Sequence, residues 1–165
     1  MGTGHDGGMT TYTFTRAKGG LYSADGLGEW KQRKWWALDT DARLADGTAL
    51  TLRATKWNRL FVAETVTDGL HSAHVRGEYD KTQWMKERGI LRWDGVDYEY
   101  GAKSTWKATY DLSRHGEELV EISIKGLKHD VIVTPTLAGQ QVSPALLLFV
   151  GWVALAMIQA RNGSM

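Results

Sequence analysis

The chain contains no cysteine, which excludes thiol nucleophiles, disulfides, Cys-ligated zinc and iron–sulfur clusters. It has almost no surplus of charge: 20 Lys and Arg stand against 19 Asp and Glu, a formal net charge of +1. General binding of phosphate backbones needs a basic excess or stripe, so no nucleic-acid partner is expected. The start of the chain lacks the apolar run of about 7–15 residues that a secretory signal requires, and residues 1–9 read as a flexible leader. Gly2 follows Met1, but myristoylation wants Ser or Thr at the sixth position, where Asp6 stands. His-Glu-x-x-His and Gly-x-Ser-x-Gly are absent, and Gly-x-Gly occurs only in the leader and at Gly26-Leu27-Gly28, outside a βαβ context. With no catalytic constellation, neither an enzyme activity nor a cofactor is expected.

What is present points to architecture. Hydrophobic residues make up 42% of 165, enough for a buried core in one domain, residues 10–165. There are 8 Trp and 19 Gly but only 2 Pro. Residues 10–136 show no helical period. Thr11-Tyr12-Thr13-Phe14-Thr15 alternates aromatic residues with Thr, as a strand does. Residues 49–53 and 60–64 read as further strands, and Val120, Ile122 and Ile124 share one face of another. Asp-Gly at Asp25, Asp46, Asp68 and Asp94 lies near strand ends, and two-residue Asp-Gly loops favour the type I′ turn. The clearest hairpin is Ile90-Leu91-Arg92-Trp93, Asp94-Gly95, then residues 96–100; His115-Gly116 has a similar role. A weak echo pairs Trp36, Gly47 and Leu50 with Trp106, Gly116 and Leu119, as a Trp-bearing strand, a turn and an apolar strand. About ten to twelve strands spaced some 8–12 residues apart predict a mainly β fold, a closed antiparallel barrel or a sandwich.

The end of the chain is helical. Ser143 suits an N-cap and Pro144 the first helical position, and Asn162-Gly163 is a stop signal. The fourteen residues 145–158 carry no charge. A helix apolar on every side must be surrounded on every side. At 1.5 Å per residue the run is about 21 Å long, short of the roughly 30 Å hydrocarbon core. This favours a buried C-terminal helix, residues 144–160, at the centre of a closed barrel. Extended by its flanks, the same run also reads as a short tail anchor.

Taken together, these segments resemble the tubby-like superfamily, which includes the phospholipid scramblases and the plant LURP-one-related proteins. The resemblance is carried by Lys34-Trp35-Trp36-Ala37-Leu38 leading to Asp46-Gly47, residues 90–93 with 96–100, residues 105–112 with Gly116, Val131-Ile132-Val133, and the helix 146–158. It spans nearly the whole chain and rests on order and spacing. It implies a roughly twelve-stranded barrel threaded by a C-terminal hydrophobic helix. It also implies a non-enzymatic module that binds phospholipid headgroups or a membrane surface, cytoplasmic and peripheral at the membrane. Tubby proteins bind phosphoinositides in a basic pocket whose residues match no particular positions here. Scramblases carry a candidate calcium segment beside the terminal helix, but Leu137-Ala138-Gly139-Gln140-Gln141-Val142 has no carboxylate. Their palmitoylated cysteines have no counterpart.

The sharpest local feature is basic and Trp-rich: Lys31, Arg33 and Lys34 between Trp30 and Trp35-Trp36. Lys31, Arg33, Lys34 and Trp36 are the candidate lipid-binding residues, since cations with indoles suit an anionic headgroup region. The plain alternative buries the indoles and leaves the cations in water. Lys81, Lys86 and Arg88 around Trp84 are a looser second version. His71 and His74 share a metal only across a turn or bulge, and Asp39/Asp41 and Asp94/Asp97 lack the spacing of a calcium loop, so no metal is expected. An anionic phospholipid or membrane surface is the expected partner. A soluble small-molecule or protein interaction domain, or a tail-anchored protein, are the alternatives.

Overall fold

The structure, a computed structural model, describes residues 10–32, 39–55, 60–66, 73–83, 88–104 and 106–161. The leader 1–9, Asp68-Gly69 and the stop signal Asn162-Gly163 lie outside these residues. The first six strands are β1 (Tyr12–Arg16), β2 (Leu21–Ala24), β3 (Gly28–Gln32), β4 (Asp39–Leu44), β5 (Ala49–Thr55) and β6 (Leu60–Val66). Six more follow: β7 (Ala73–Gln83), β8 (Arg88–Trp93), β9 (Val96–Ser104), β10 (Thr109–Arg114), β11 (Glu117–Lys125) and β12 (Asp130–Pro135). Each pairs antiparallel with its neighbours in the chain, and β1 pairs with β12, with Phe14 opposite Val131. The sheet therefore closes into a barrel without free edges. The chain ends in one α-helix, α1 (Pro144–Arg161).

Strand alternation decides what lines the barrel. On β5, Leu50, Leu52 and Ala54 are buried and their neighbours are half-exposed. On β11 and β12 the buried residues are Val120, Ile122 and Ile124, then Val131 and Val133. Successive side chains point to opposite faces, so each strand gives one apolar row to the interior. A barrel of this size holds more space than short side chains fill, and α1 occupies it. Residues 145–155 are all buried. The Ser143 hydroxyl caps α1 by accepting the Leu146 amide at 3.3 Å, and Pro144 takes the first helical position. The packing of the helix inside the barrel is the buried alternative of the two foreseen. Among the described residues, no helix is long and apolar enough to cross a membrane.

α1 lies off-centre, nearest β11, β12 and β4. On the near wall, space is tight. A Cβ on Gly151 would stand 3.1 Å from Val133 Cγ2, 3.4 Å from Val131 Cγ1 and 3.7 Å from the Phe14 ring. On the far wall, aromatic residues bridge the gap. Tyr79, Trp93 and Tyr100 come from β7, β8 and β9, and the Tyr100 hydroxyl donates to the Val150 carbonyl at 2.6 Å. The Tyr79 hydroxyl in turn donates to the Tyr100 carbonyl at 2.9 Å. These bonds give the buried hydroxyls partners, which burial demands.

The turns divide by length. Asp94 and Gly95 both have positive φ, 49° and 82°, as a two-residue type I′ hairpin requires, and so do His115 and Gly116 at 55° and 79°. Asp25-Gly26 and Asp46-Gly47 depart from that expectation. They lie in connections of three and four residues, 25–27 and 45–48, and only the glycines have positive φ. In these longer loops the Gly alone takes the left-handed position, and Asp46 instead accepts the Thr48 amide at 2.9 Å. Trp106 corrects a second expectation. It is not on a strand: β9 ends at Ser104, whose hydroxyl accepts the Lys107 amide at 3.3 Å, and Ala108 has a φ of 50°. The chain is therefore already turning at Trp106, and the echo between Trp36 and Trp106 has no structural basis at its second copy.

Candidate functional site

Of the four residues singled out in the sequence, Lys31 is described. Arg33, Lys34 and Trp36 lie outside the described residues. Lys31 is exposed, one position before the end of β3, with Leu21 and Asp41 opposite it on β2 and β4. It borders a shallow depression of about 380 Å³ on the barrel wall, lined also by Glu29, Asp41, Arg43, Thr51 and Val66. The charges there alternate in sign, so this wall is not a cationic surface.

The looser patch around Trp84 falls only partly within the described residues. Trp84 and Lys86 lie outside the described residues, and Arg88 is committed elsewhere. Gly101 stands between Arg88 on β8 and Asp111 on β10, opposite both. With no side chain at Gly101, the guanidinium spans that strand and donates to Asp111 Oδ1 at 2.9 Å and to the Ala102 carbonyl at 2.8 Å. Glu99 accepts a third bond at 3.4 Å, and the Ser113 hydroxyl donates to Asp111 Oδ2 at 2.5 Å. Burial opposes the Arg88 charge, but the bond and charge of Asp111, with help from Glu99, outweigh it and leave the guanidinium above its ordinary pKa. This is a staple across three strands.

Of the carboxylates weighed as cation ligands, Asp94 and Asp97 are likewise engaged, and the Asp39 side chain lies outside the described residues. Asp94 accepts two bonds from Arg76, at 2.9 and 3.0 Å, and Asp97 accepts two from Arg92, at 2.7 and 3.3 Å. The hydrogen bonds hold both carboxyls below the usual range. Arg76 also lies 5.3 Å from the centre of the Trp93 ring. Arg76, Arg92 and Asp94 border a second depression of about 430 Å³ with His74 and Glu78. His74 is exposed, and His71 lies outside the described residues. Among the described residues, no three or more His, Asp or Glu side chains converge as metal ligands.

The surface that stands out is at one end of the barrel. Trp106 is 96% exposed and Leu127 fully exposed. They sit in neighbouring turns, 105–108 and 126–129, because Ala108 accepts the Ile124 amide at 3.1 Å where β10 meets β11. The turn after β1 adjoins them on the other side of β12 and carries Lys18. Lys18, Lys107, Lys125 and Lys128 are exposed around the two apolar side chains. Within these turns and the strand ends they join, the one described carboxylate is the half-buried Asp130. An indole and a leucyl side chain in water, ringed by ammonium groups, are placed to enter an interface whose outer layer is anionic. Sequence reasoning missed Trp106 by reading it into a strand. The signal was local: Ser104, Lys107 and Ala108 suit a turn, while Thr109 begins the next alternation.

Comparison with protein-family models, with curated proteins and with solved structures finds no match to this chain.

Proposed function

We propose that this chain is a non-enzymatic, tubby- or scramblase-like β-barrel module that binds anionic phospholipid headgroups at a membrane surface. The carrying observation is the exposure of Trp106 and Leu127 beside Lys107 and Lys128 in adjoining turns. Large apolar side chains grouped in adjoining turns and rimmed by cations mark an interaction surface, whereas Leu137, exposed at the other end, has no cation in its connection. The barrel closed around its C-terminal helix agrees with the architecture that the family resemblance implies. With the helix enclosed, the attachment proposed is through the barrel's surface.

Co-sedimentation of the full chain with phosphatidylcholine vesicles, with and without phosphatidylserine, tests the reading. Binding is expected only with the anionic lipid. It should fall as salt rises, because screening acts over about 8–10 Å near physiological ionic strength. Replacing Lys31, Arg33 and Lys34 with Gln should weaken binding about 30- to 150-fold if those cations share the surface. Absence of binding at low salt would overturn the membrane reading and favour a soluble interaction domain.

A further inference from the structure

Consecutive strands are antiparallel neighbours all the way round, so the connections alternate between the two ends of the barrel. At the end where α1 terminates, the described turns are those around Lys18, Lys107 and Lys128. Each of these three turns contains a Lys. Trp106 lies in one of them. The described connections at the other end are 25–27, 45–48, 94–95, 115–116 and 136–143. They contain no Lys, no Arg and no Trp, and three of them carry Asp-Gly.

Folding needs do not produce this division. Asp-Gly serves short turns at either end equally well. The C-terminus of α1 favours nearby cations through its dipole, but that effect fades within one helical turn and does nothing for an exposed indole. Trp106 and Leu127 gain nothing from the barrel core, since both stand outside it.

The geometry points to end-on docking: the rim where α1 terminates rests on an anionic bilayer, Trp106 and Leu127 enter its interface, and the Asp-Gly end points into water. This deepens the membrane reading above and rests on it. Charge complementarity selects the occupant, because cations surround the apolar residues at this rim. At the opposite end Asp25, Asp46 and Asp94 lie in the turns, and Arg76 is already paired with Asp94.

The absence of cysteine permits single-site labelling. Full-length Leu127→Cys and Ala45→Cys variants, each carrying an environment-sensitive nitrobenzoxadiazole dye, are mixed with phosphatidylcholine–phosphatidylserine vesicles. The dye at position 127 should brighten, shift to the blue and be quenched by lipids brominated on their acyl chains. The dye at position 45, in a turn at the other end, should not change. In parallel, Lys107→Gln with Lys128→Gln should weaken vesicle binding about fivefold per cation, whereas Arg114→Gln, at the opposite end of β10, should leave it unchanged. If the protein binds vesicles but both dyes respond alike, only position 45 responds or neither does, end-on docking is overturned while membrane binding stands. An equal loss from Arg114→Gln overturns it too. If the unlabelled chain does not bind the vesicles, the membrane reading fails and the orientation fails with it.

Discussion

Replacement of Gly151 tests whether α1 is enclosed on the side that faces β12. In a helix open to water, Gly→Ala stabilises by about 1 kcal/mol and Gly→Leu by nearly as much, since both are better helix formers. Inside the barrel the added atoms meet Val133, Val131 and Phe14, the closest at 3.1 Å from the new Cβ. For Gly151→Ala the neighbour must yield by a few tenths of an ångström, which offsets the propensity gain and leaves the variant near wild type. Gly151→Leu places three further carbons against a wall that has no room for them. Overpacking of this kind costs about 1–3 kcal/mol or more. Urea melts followed by tryptophan fluorescence and far-ultraviolet circular dichroism give the midpoint. At a slope of about 2 kcal/mol per molar, Gly151→Leu should lower it by roughly 0.5–1.5 M. If both substitutions raise the midpoint, as on an exposed helix, the enclosed packing of α1 is refuted.

Two further outcomes follow from the polar groups. Burial raises the Tyr100 hydroxyl well above the ordinary 10.0, with smaller contributions from Tyr110, Tyr79 and Asp111, and burial also raises Tyr22. Both stay protonated in the folded chain above pH 10, where the unfolded chain ionises, so stability should fall as pH rises past that value, and absorbance at 295 nm should show these hydroxyls ionising only on unfolding. The Arg88–Asp111 pair is 19% and 11% exposed, so Asp111→Ala should destabilise by about 2–4 kcal/mol by leaving a desolvated guanidinium short of its partner. The Arg92–Asp97 pair is 60% and 54% exposed, and Arg92→Ala should leave the urea midpoint unmoved; equal losses from the two substitutions would refute the distinction.

Much of the barrel was legible because its signals are local. Val120, Ile122 and Ile124 alternate strictly, and one face of β11 is buried as that pattern demands. Asp94-Gly95 and His115-Gly116 are two-residue loops whose backbone needs are met by short polar residues and glycine. The C-terminal helix was legible for a different reason: a segment apolar on all sides leaves only enclosure or lipid. The Arg88 staple was not legible. It depends on Gly101 lying opposite both Arg88 and Asp111, a register fixed by the whole closure of the sheet rather than by any window of sequence. The type I′ expectation failed at Asp25 and Asp46 because connection length, not the dipeptide alone, selects the turn.

The tryptophans show why composition misleads about the site. Eight Trp in a small barrel suggest filler for the core. Trp30, Trp93 and Trp152 fit that role: Trp30 lies 4.3 Å from the Phe14 ring centre and 5.4 Å from Tyr22, Trp93 packs on Phe149, and Trp152 meets Phe61 and Phe149. Trp30 and Trp93 occupy inward positions of regular strands, and Trp152 lies on the enclosed helix. Trp106 follows neither pattern, since β9 has already ended two residues before it. Its neighbour in sequence, Lys107, is a second mark of a water-facing turn. For the four described Trp, core or surface is therefore decided by place in the fold, and Trp35, Trp36, Trp57 and Trp84 lie outside the described residues. Core demand accounts for indoles inside the barrel. It does not account for Trp106, which stands in water beside the exposed Lys107, and the proposed anionic interface would receive both.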